Sequence, residues 1–378
     1  MVPARAHSSN ALIRTSIQVA PDDIDGAVGS LAPELNSVDL AFAVAFLPTR
    51  VPYRDLGHKL QSSVSAPVFG CTTAGELTDD GFQQSSMVAV GFPSDSFAVH
   101  PFEIPNVQNP GEAIFRSIVT CAEDVRRRGV GAFAILLIDG MSLAEERIAA
   151  QCDLALGGIP LFGGSAGDDA KFESTWVLRN GEFATGGALL LLVETNRPFH
   201  VFQMQHLIPI GAELVITAAC PEERVVLEMD GIPAVEAYAA ALGRTVDALT
   251  PEVCERHPLA IRIGGVDYIR SIQKVHDDGS IRFYCAIEEG LVLSVTKPDD
   301  FVRRLRDGLE SVTSEVEDPE LILACECIQR RQVVESLGLV DDVASVLQSY
   351  PIVGFHTYGE QLRGLHLNQT LTGVVIGR

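Results

Sequence analysis

The residues with most capacity for chemistry lie in three glycine-rich tails. Each follows a Pro, two apolar residues and a Gly: Pro67-Val68-Phe69-Gly70, Pro160-Leu161-Phe162-Gly163 and Pro351-Ile352-Val353-Gly354. Each then supplies a small hydroxylated residue, a second Gly and an acid, namely Thr73, Gly75 and Glu76; Ser165, Gly167 and Asp168; and Thr357, Gly359 and Glu360. The second copy is one residue shorter. Glycines of this kind let backbone N–H groups converge on an anion. Thr73 and Glu76, or Thr357, Tyr358 and Glu360, would offer hydroxyls and a carboxylate to a polar metabolite, for instance to the ammonium of an amino acid, with the Cys71 thiol in the same ligand-binding set. The plainer reading of any one copy is a tight turn after a strand, and three copies argue for a shared structural role before three active sites. The tails are neither a Walker loop, lacking its Gly-Lys-Ser/Thr ending, nor a GxGxxG. Cys71 as a nucleophile would need a base that the sequence does not place.

Histidine is the second candidate chemistry. His356 and His366 flank the third tail, and His200 and His206 bracket residues 201–205. Neutral imidazole ligates haem iron or zinc. There is no HExxH, paired CxxC or C-x-x-C-H, so a haem b would be held non-covalently. Cys325-Glu326-Cys327 puts two thiols on one face of a strand, where burial as small hydrophobes is the simpler account. Asp230-Gly231 reads as a turn before a helix with Pro233 in its first turn. The pairs Asp168-Asp169 and Asp299-Asp300 sit in turns and suggest solvated carboxylates. No nucleophile, base and oxyanion donors assemble, so the chain does not read as an enzyme.

These tails must be positioned by a repeated unit. Upstream of each lies an apolar, β-rich run (40–47, 133–138 and 321–328) suited to a strand buried on both faces. Leu56, Leu60 and Val64, and then Val340, Val343, Ala344 and Leu347, recur at helical spacing. Ser142 with Glu145 predicts a capping box for a middle helix. After each tail the chain returns to strand at 87–92, 188–193 and 371–376. Pro258-Leu259-Ala260-Ile261 has the spacing of a degenerate fourth copy without the tail. The fold class expected is α/β, two mixed-sheet domains built from repeated strand-helix-strand units. Their boundary is expected near residues 220–228.

Composition narrows the function. With 378 residues and 47% hydrophobic content the chain can fill real cores, and 50 acidic against 28 basic side chains leave a net charge of −22. Such a surface repels phosphate backbones and anionic lipid, so neither nucleic acid nor membrane is an expected partner. Residues 1–15, with Arg5 and Arg14, lack the apolar stretch of a secretory signal, and the longest apolar run, 188–193, is far below a membrane span. Eight cysteines, mostly inside apolar segments and without short-spaced metal clusters, suit a reducing, cytoplasmic setting.

Several motifs in order resemble a known family. Gly70-Cys-Thr-Thr-Ala-Gly-Glu76, Pro209-Ile-Gly211 leading to Val215-Ile-Thr217, Leu227-Glu-Met-Asp-Gly-Ile-Pro-Ala234 with Tyr238, and Gly354-Phe-His-Thr-Tyr-Gly-Glu360 with Asn368 and Thr370 are similar to FIST-domain proteins (F-box and intracellular signal transduction). The resemblance implies an N-terminal segment 1–29, an N-terminal FIST region 30–220 and a C-terminal one 221–378. It implies a sensory, ligand-binding protein, bacterial and cytoplasmic, that acts through a separate partner such as a histidine kinase or a cyclic-di-GMP enzyme. Since no output segment is recognised in these 378 residues, the stand-alone kind is expected, and a homo-oligomer is compatible with it. A subset of the family senses nitric oxide through haem. On that reading His206 is the first choice of axial ligand, followed by His200, His356 and His366. A metabolite sensor without haem and a ligand-free interaction scaffold are the alternatives.

Overall fold

The computed structural model describes residues 11–378; the start of the expected N-terminal segment, with Arg5, lies outside the described residues. Cα packing separates the chain into two units. The first holds residues up to Gln203 with Gly308–Leu365 and Leu371–Arg378, and the second Met204–Asp307 with His366–Thr370.

The first unit repeats one module three times. In the first module Leu40–Leu47 pairs in parallel with Val68–Thr72 across the helix Tyr53–Ser63, and Ser86–Pro93 returns antiparallel on its other side. The second repeats this with Gly131–Ile138, helix Glu145–Leu156, Leu161–Ser165 and Ala188–Thr195. The third uses Pro319–Cys327, helices Ile328–Ser336 and Val340–Leu347, Ile352–Thr357 and Leu371–Gly377. A further strand flanks each sheet: Ile13–Gln18, Phe97–Ile104 and Phe199–Met204.

The short strands beyond each parallel pair leave their own module. Glu76–Thr78 pairs antiparallel with Ile352–Thr357 of the third module. Glu360–Leu362 pairs with Leu161–Ser165 of the second, and Val177–Arg179 with Val68–Thr72 of the first. Each module hands a strand to its neighbour, and after three transfers the ring closes, as head-to-tail contacts do when their rotation permits. The inner faces of the three sheets meet in one core containing Phe46, Phe69, Phe133, Phe162, Leu323 and Phe355. Phe46 and Phe355 stack there with centroids 4.4 Å apart. The outer faces of the first two sheets bury separate apolar layers beneath their helices.

The repeated glycine has one cause in all three copies. A Cβ on Gly70, Gly163 or Gly354 would sit 1.7, 1.9 and 1.9 Å from the carbonyl oxygen of Ala45, Leu136 and Ala324 on the adjacent parallel strand. Any side chain there would force two paired strands apart.

The second unit is a different structure. Its sheet runs in the order Val266–Arg270, Leu259–Ile263, Val292–Pro298, Leu207–Cys220, Val225–Met229, Ile281–Phe283, Ile272–Val275, and these pairs are antiparallel. The α/β class therefore stands, with mixed sheets in the first unit and an antiparallel one in the second. Leu259–Ile263 lacks a parallel partner, so residues 258–261 are not a fourth module. Asp230 and Gly231 form the expected turn, both at positive φ, before helix Ala234–Ala241. The capping box expected from Ser142 and Glu145 does not form. The helix starts at Glu145, after Leu143 has taken a left-handed φ of 53°, and the Ser142 hydroxyl instead accepts from Ala144 N–H at 3.4 Å. Among the described residues no helix is long and apolar enough to cross a membrane.

Candidate functional site

The three tails meet at the carboxyl ends of the parallel strands, where backbone bonds tie them together. Ala74 N–H donates to His356 O at 3.0 Å and His356 N–H to Gly75 O at 2.8 Å; Gly167 N–H reaches Thr72 O, and Tyr358 N–H reaches Ser165 O. The hydroxyls and acids of the tails bond one another. Thr73 Oγ1 lies 2.6 Å from Glu76 Oε1, and Thr357 Oγ1 bonds Glu360 in the same way. Ser86 N–H donates to the second oxygen of Glu76 at 3.0 Å. Asp168 accepts from the backbone N–H of Phe172, Glu173 and Ser174 at 2.8, 2.8 and 2.9 Å and from the Tyr358 hydroxyl. Its carboxylate thus holds a loop in which Asp169, Ala170 and Phe172 all take positive φ.

The ligand-binding set expected from sequence is therefore brought together but turned inward. Cys71, Thr73, Glu76, Thr357 and Glu360 have no exposed surface and Tyr358 is buried. Cys71 lies in the central core, where burial pushes its thiol well above the usual range, so no reactive thiolate is presented.

Burial raises Glu76 to about 8, against smaller lowering by Thr73 and Ser86. The unfolded chain releases this proton near the ordinary carboxyl value, whereas the folded chain holds it to about 8. Between those values the folded state binds more protons, so stability falls as pH rises, by at most about 1.4 kcal/mol per pH unit from this group. Below the ordinary carboxyl range the contribution is fully present, and above about 8 it is lost. Glu76→Gln should flatten that part of the profile. Urea unfolding from pH 4 to 9 checks it, and parallel wild-type and variant curves would refute the assignment.

One place breaks the threefold equivalence. At the end of the first strand the first two modules carry Leu47 and Ile138, both buried and apolar, paired in register with Thr72 and Ser165. The third carries Glu326 opposite His356. Glu326 and Arg330, each 2% exposed in their side chains, form an ion pair at 3.1 Å, and Arg331 bonds Glu335 at 2.7 Å and Ala74 O at 3.3 Å. His356 lies with Nδ1 3.7 Å from Glu326 Oε2 and its ring edge-on to Phe82; neither ring nitrogen has a hydrogen-bond partner. Burial, then Arg331 and Arg330, hold His356 well below the usual imidazole range, so it is neutral. Burial pushes Glu326 up while Arg330 pulls it down.

The other histidines are dispersed. His206 is buried with its ring 4.7 Å from Phe301, and its carbonyl accepts from Asp299 N–H at 2.8 Å. His200 is half-buried on Phe199–Met204, and the buried His366 lies in the segment returning to the second unit. Two cavities in the first unit, about 370 and 390 Å³, are lined around Arg197 and Glu320 and around Asn36 and Ser65. No histidine lines either one, so neither offers haem an axial ligand. Among the described residues no group of three or more His, Cys, Asp or Glu is arranged to hold a metal ion.

Sequence reasoning missed Glu326, Arg330 and Arg331. The available signal was an acid between two cysteines in an apolar run, followed closely by two adjacent arginines.

A ring of three strand-helix-strand modules with an inserted antiparallel unit defines a two-unit α/β protein whose repeated tails are internal ties. Residues 39–232 match the FIST N domain and residues 234–363 the FIST C domain, so the chain belongs to the FIST family. FIST domains are associated with sensory signal transduction. The uncharacterized protein MJ1623 of Methanocaldococcus jannaschii is 25% identical over 253 residues, 57% of this chain and 48% of that protein. The chain thus spans about half the length of that curated relative. A chorismatase crystal structure aligns over 97% of this chain and 98% of its own at 9% identity and a TM-score of 0.35, a likeness that carries no argument for fold or chemistry.

Proposed function

We propose that this chain is a non-catalytic, cytoplasmic sensory protein that binds a small polar ligand and passes its occupancy to a separate signalling protein, a histidine kinase or a cyclic-di-GMP enzyme. Membership of the FIST family across residues 39–232 and 234–363 is the observation that carries this reading. All eight cysteines are free thiols, which suits a reducing compartment. A polar ligand is preferred to haem because His206 and His356 are packed against rings, whereas buried amides and a guanidinium with unused hydrogen-bonding atoms occur in the second unit.

Two measurements test it. Affinity capture should recover a kinase or cyclic-di-GMP enzyme whose activity changes when the chain is added; an unchanged activity would refute the signalling role. Titration with haemin should give only broad absorption. A sharp Soret band that moves with nitric oxide and is lost in His206→Ala would replace the polar ligand by haem.

A further inference from the structure

Among the described residues, the buried arginine side chains of the first unit have counter-ions. Arg197 is paired with Glu320, Arg330 with Glu326 and Arg331 with Glu335. Arg270, 5% exposed at the end of the strand Val266–Arg270, takes part in none of the ion pairs among the described residues. Its Nη1 donates to the carbonyls of Ile269 at 3.2 Å and His366 at 3.5 Å, and its buried Nε has no acceptor. A guanidinium removed from water without a carboxylate is unfavourable unless an anion joins it. The Nε–Nη2 edge left over is the fork that takes two oxygens of one planar oxyanion.

The surrounding groups narrow that anion. The return segment His366–Thr370, whose first carbonyl holds Arg270, brings Asn368 and Gln369, both buried. Gln369 spends its Nε2 on Glu255 O at 3.0 Å and Ser271 Oγ at 3.3 Å, leaving Oε1 buried with no donor. Asn368 Oδ1 accepts from the Cys285 thiol at 3.0 Å. One cation and a spare acceptor call for a single negative charge with a hydrogen-bond donor close by. A phosphate dianion would want more positive donors than a lone guanidinium.

Building on the sensory reading above, we propose that Arg270 anchors the carboxylate of a small monocarboxylic acid in the second unit, with Gln369 Oε1 accepting from an amino or hydroxyl group next to that carboxylate. The remaining edge of the guanidinium fixes the carboxylate plane, and the amide distinguishes substituted acids from plain ones.

Thermal unfolding of the full chain with L-alanine, L-lactate, propionate, L-alaninamide and inorganic phosphate at constant ionic strength tests this. L-Alanine or L-lactate should raise Tm saturably, propionate less, and alaninamide not at all; which of the first two is stronger identifies the donor. Arg270→Gln should weaken the response at least tenfold. Arg270→Lys, which keeps the positive charge but not the planar fork, should also weaken it, so the test survives if Arg270→Gln does not fold. An equal response in wild type and Arg270→Gln would overturn the inference and leave the sensory reading standing. So would a larger response to phosphate than to the acids, or no response to any probe. Loss of the sensory reading would show instead as an unaffected signalling partner while Arg270-dependent binding persists.

Discussion

Arg330→Met should lower the unfolding free energy by about 3–5 kcal/mol, the usual cost of leaving one member of a buried ion pair without its partner. Glu326 and Arg330 are both almost wholly enclosed, 3.1 Å apart. Glu326→Leu should be similarly costly, because Arg330 then stays buried without that carboxylate. The double variant Glu326→Leu with Arg330→Met should recover most of the loss, since the same sheet position already holds Leu47 in the first module and Ile138 in the second. In Arg330→Met the defect should shrink at low pH. Losing the cation pushes the Glu326 carboxyl further up, and its protonated form is the one that tolerates burial. Denaturant unfolding of the four proteins measures the coupling directly. A single-variant loss below about 1 kcal/mol would mean that water reaches the pair.

Alanine at Gly70, Gly163 or Gly354 should be the other severe change, costing about 3 kcal/mol or more at each position. The intruding Cβ would fall within 2 Å of a carbonyl oxygen on the neighbouring strand, and backbone cannot rotate aside as a side chain can. The three losses should be alike because the contact is alike. Gly29, in the helix Ile24–Leu35 with nothing near its Cβ, is the control: Gly29→Ala should stabilise by about 0.5–1 kcal/mol. If Gly163→Ala unfolds at the same denaturant concentration as wild type, the strand pair is looser than described.

Much of the first unit could be read from residues alone because it is written three times. The runs at 40–47, 133–138 and 321–328 are strands, the last ending one residue early where helix Ile328–Ser336 begins. Periodicity at Leu56 and Leu60, and again at Val343 and Leu347, marks buried helix faces. Strand exchange was not legible, since nothing local in Glu76–Thr78 says that its partner lies in the third module. Nor did spacing reveal that Thr73 closes on Glu76; three residues apart, a hydroxyl and an acid fit both a ligand cradle and a self-contained turn. Ser142 with Glu145 failed for a related reason: the pattern was present, but Leu143 turned the chain before a helix could start there. Glu326 was hidden by the two cysteines around it, which invited a thiol reading of a strand whose odd member was the acid.

The closed ring also sets the order in which the molecule can be made. During synthesis, Glu76–Thr78 leaves the ribosome long before Ile352–Thr357, the strand it must join, has been translated. At about 5–20 residues per second the wait is roughly 15–55 s. Over that interval the nascent chain carries an unfinished sheet edge, the kind of surface that recruits the wrong strand from another copy. The second strand transfer, Val177–Arg179 onto Val68–Thr72, is available much earlier, so two thirds of the ring can assemble before the last third arrives to lock it. The inserted antiparallel unit is translated within that gap, which delays closure by about a hundred residues. Yield in the cell should therefore depend on what shields the waiting edge as much as on the stability of the finished ring.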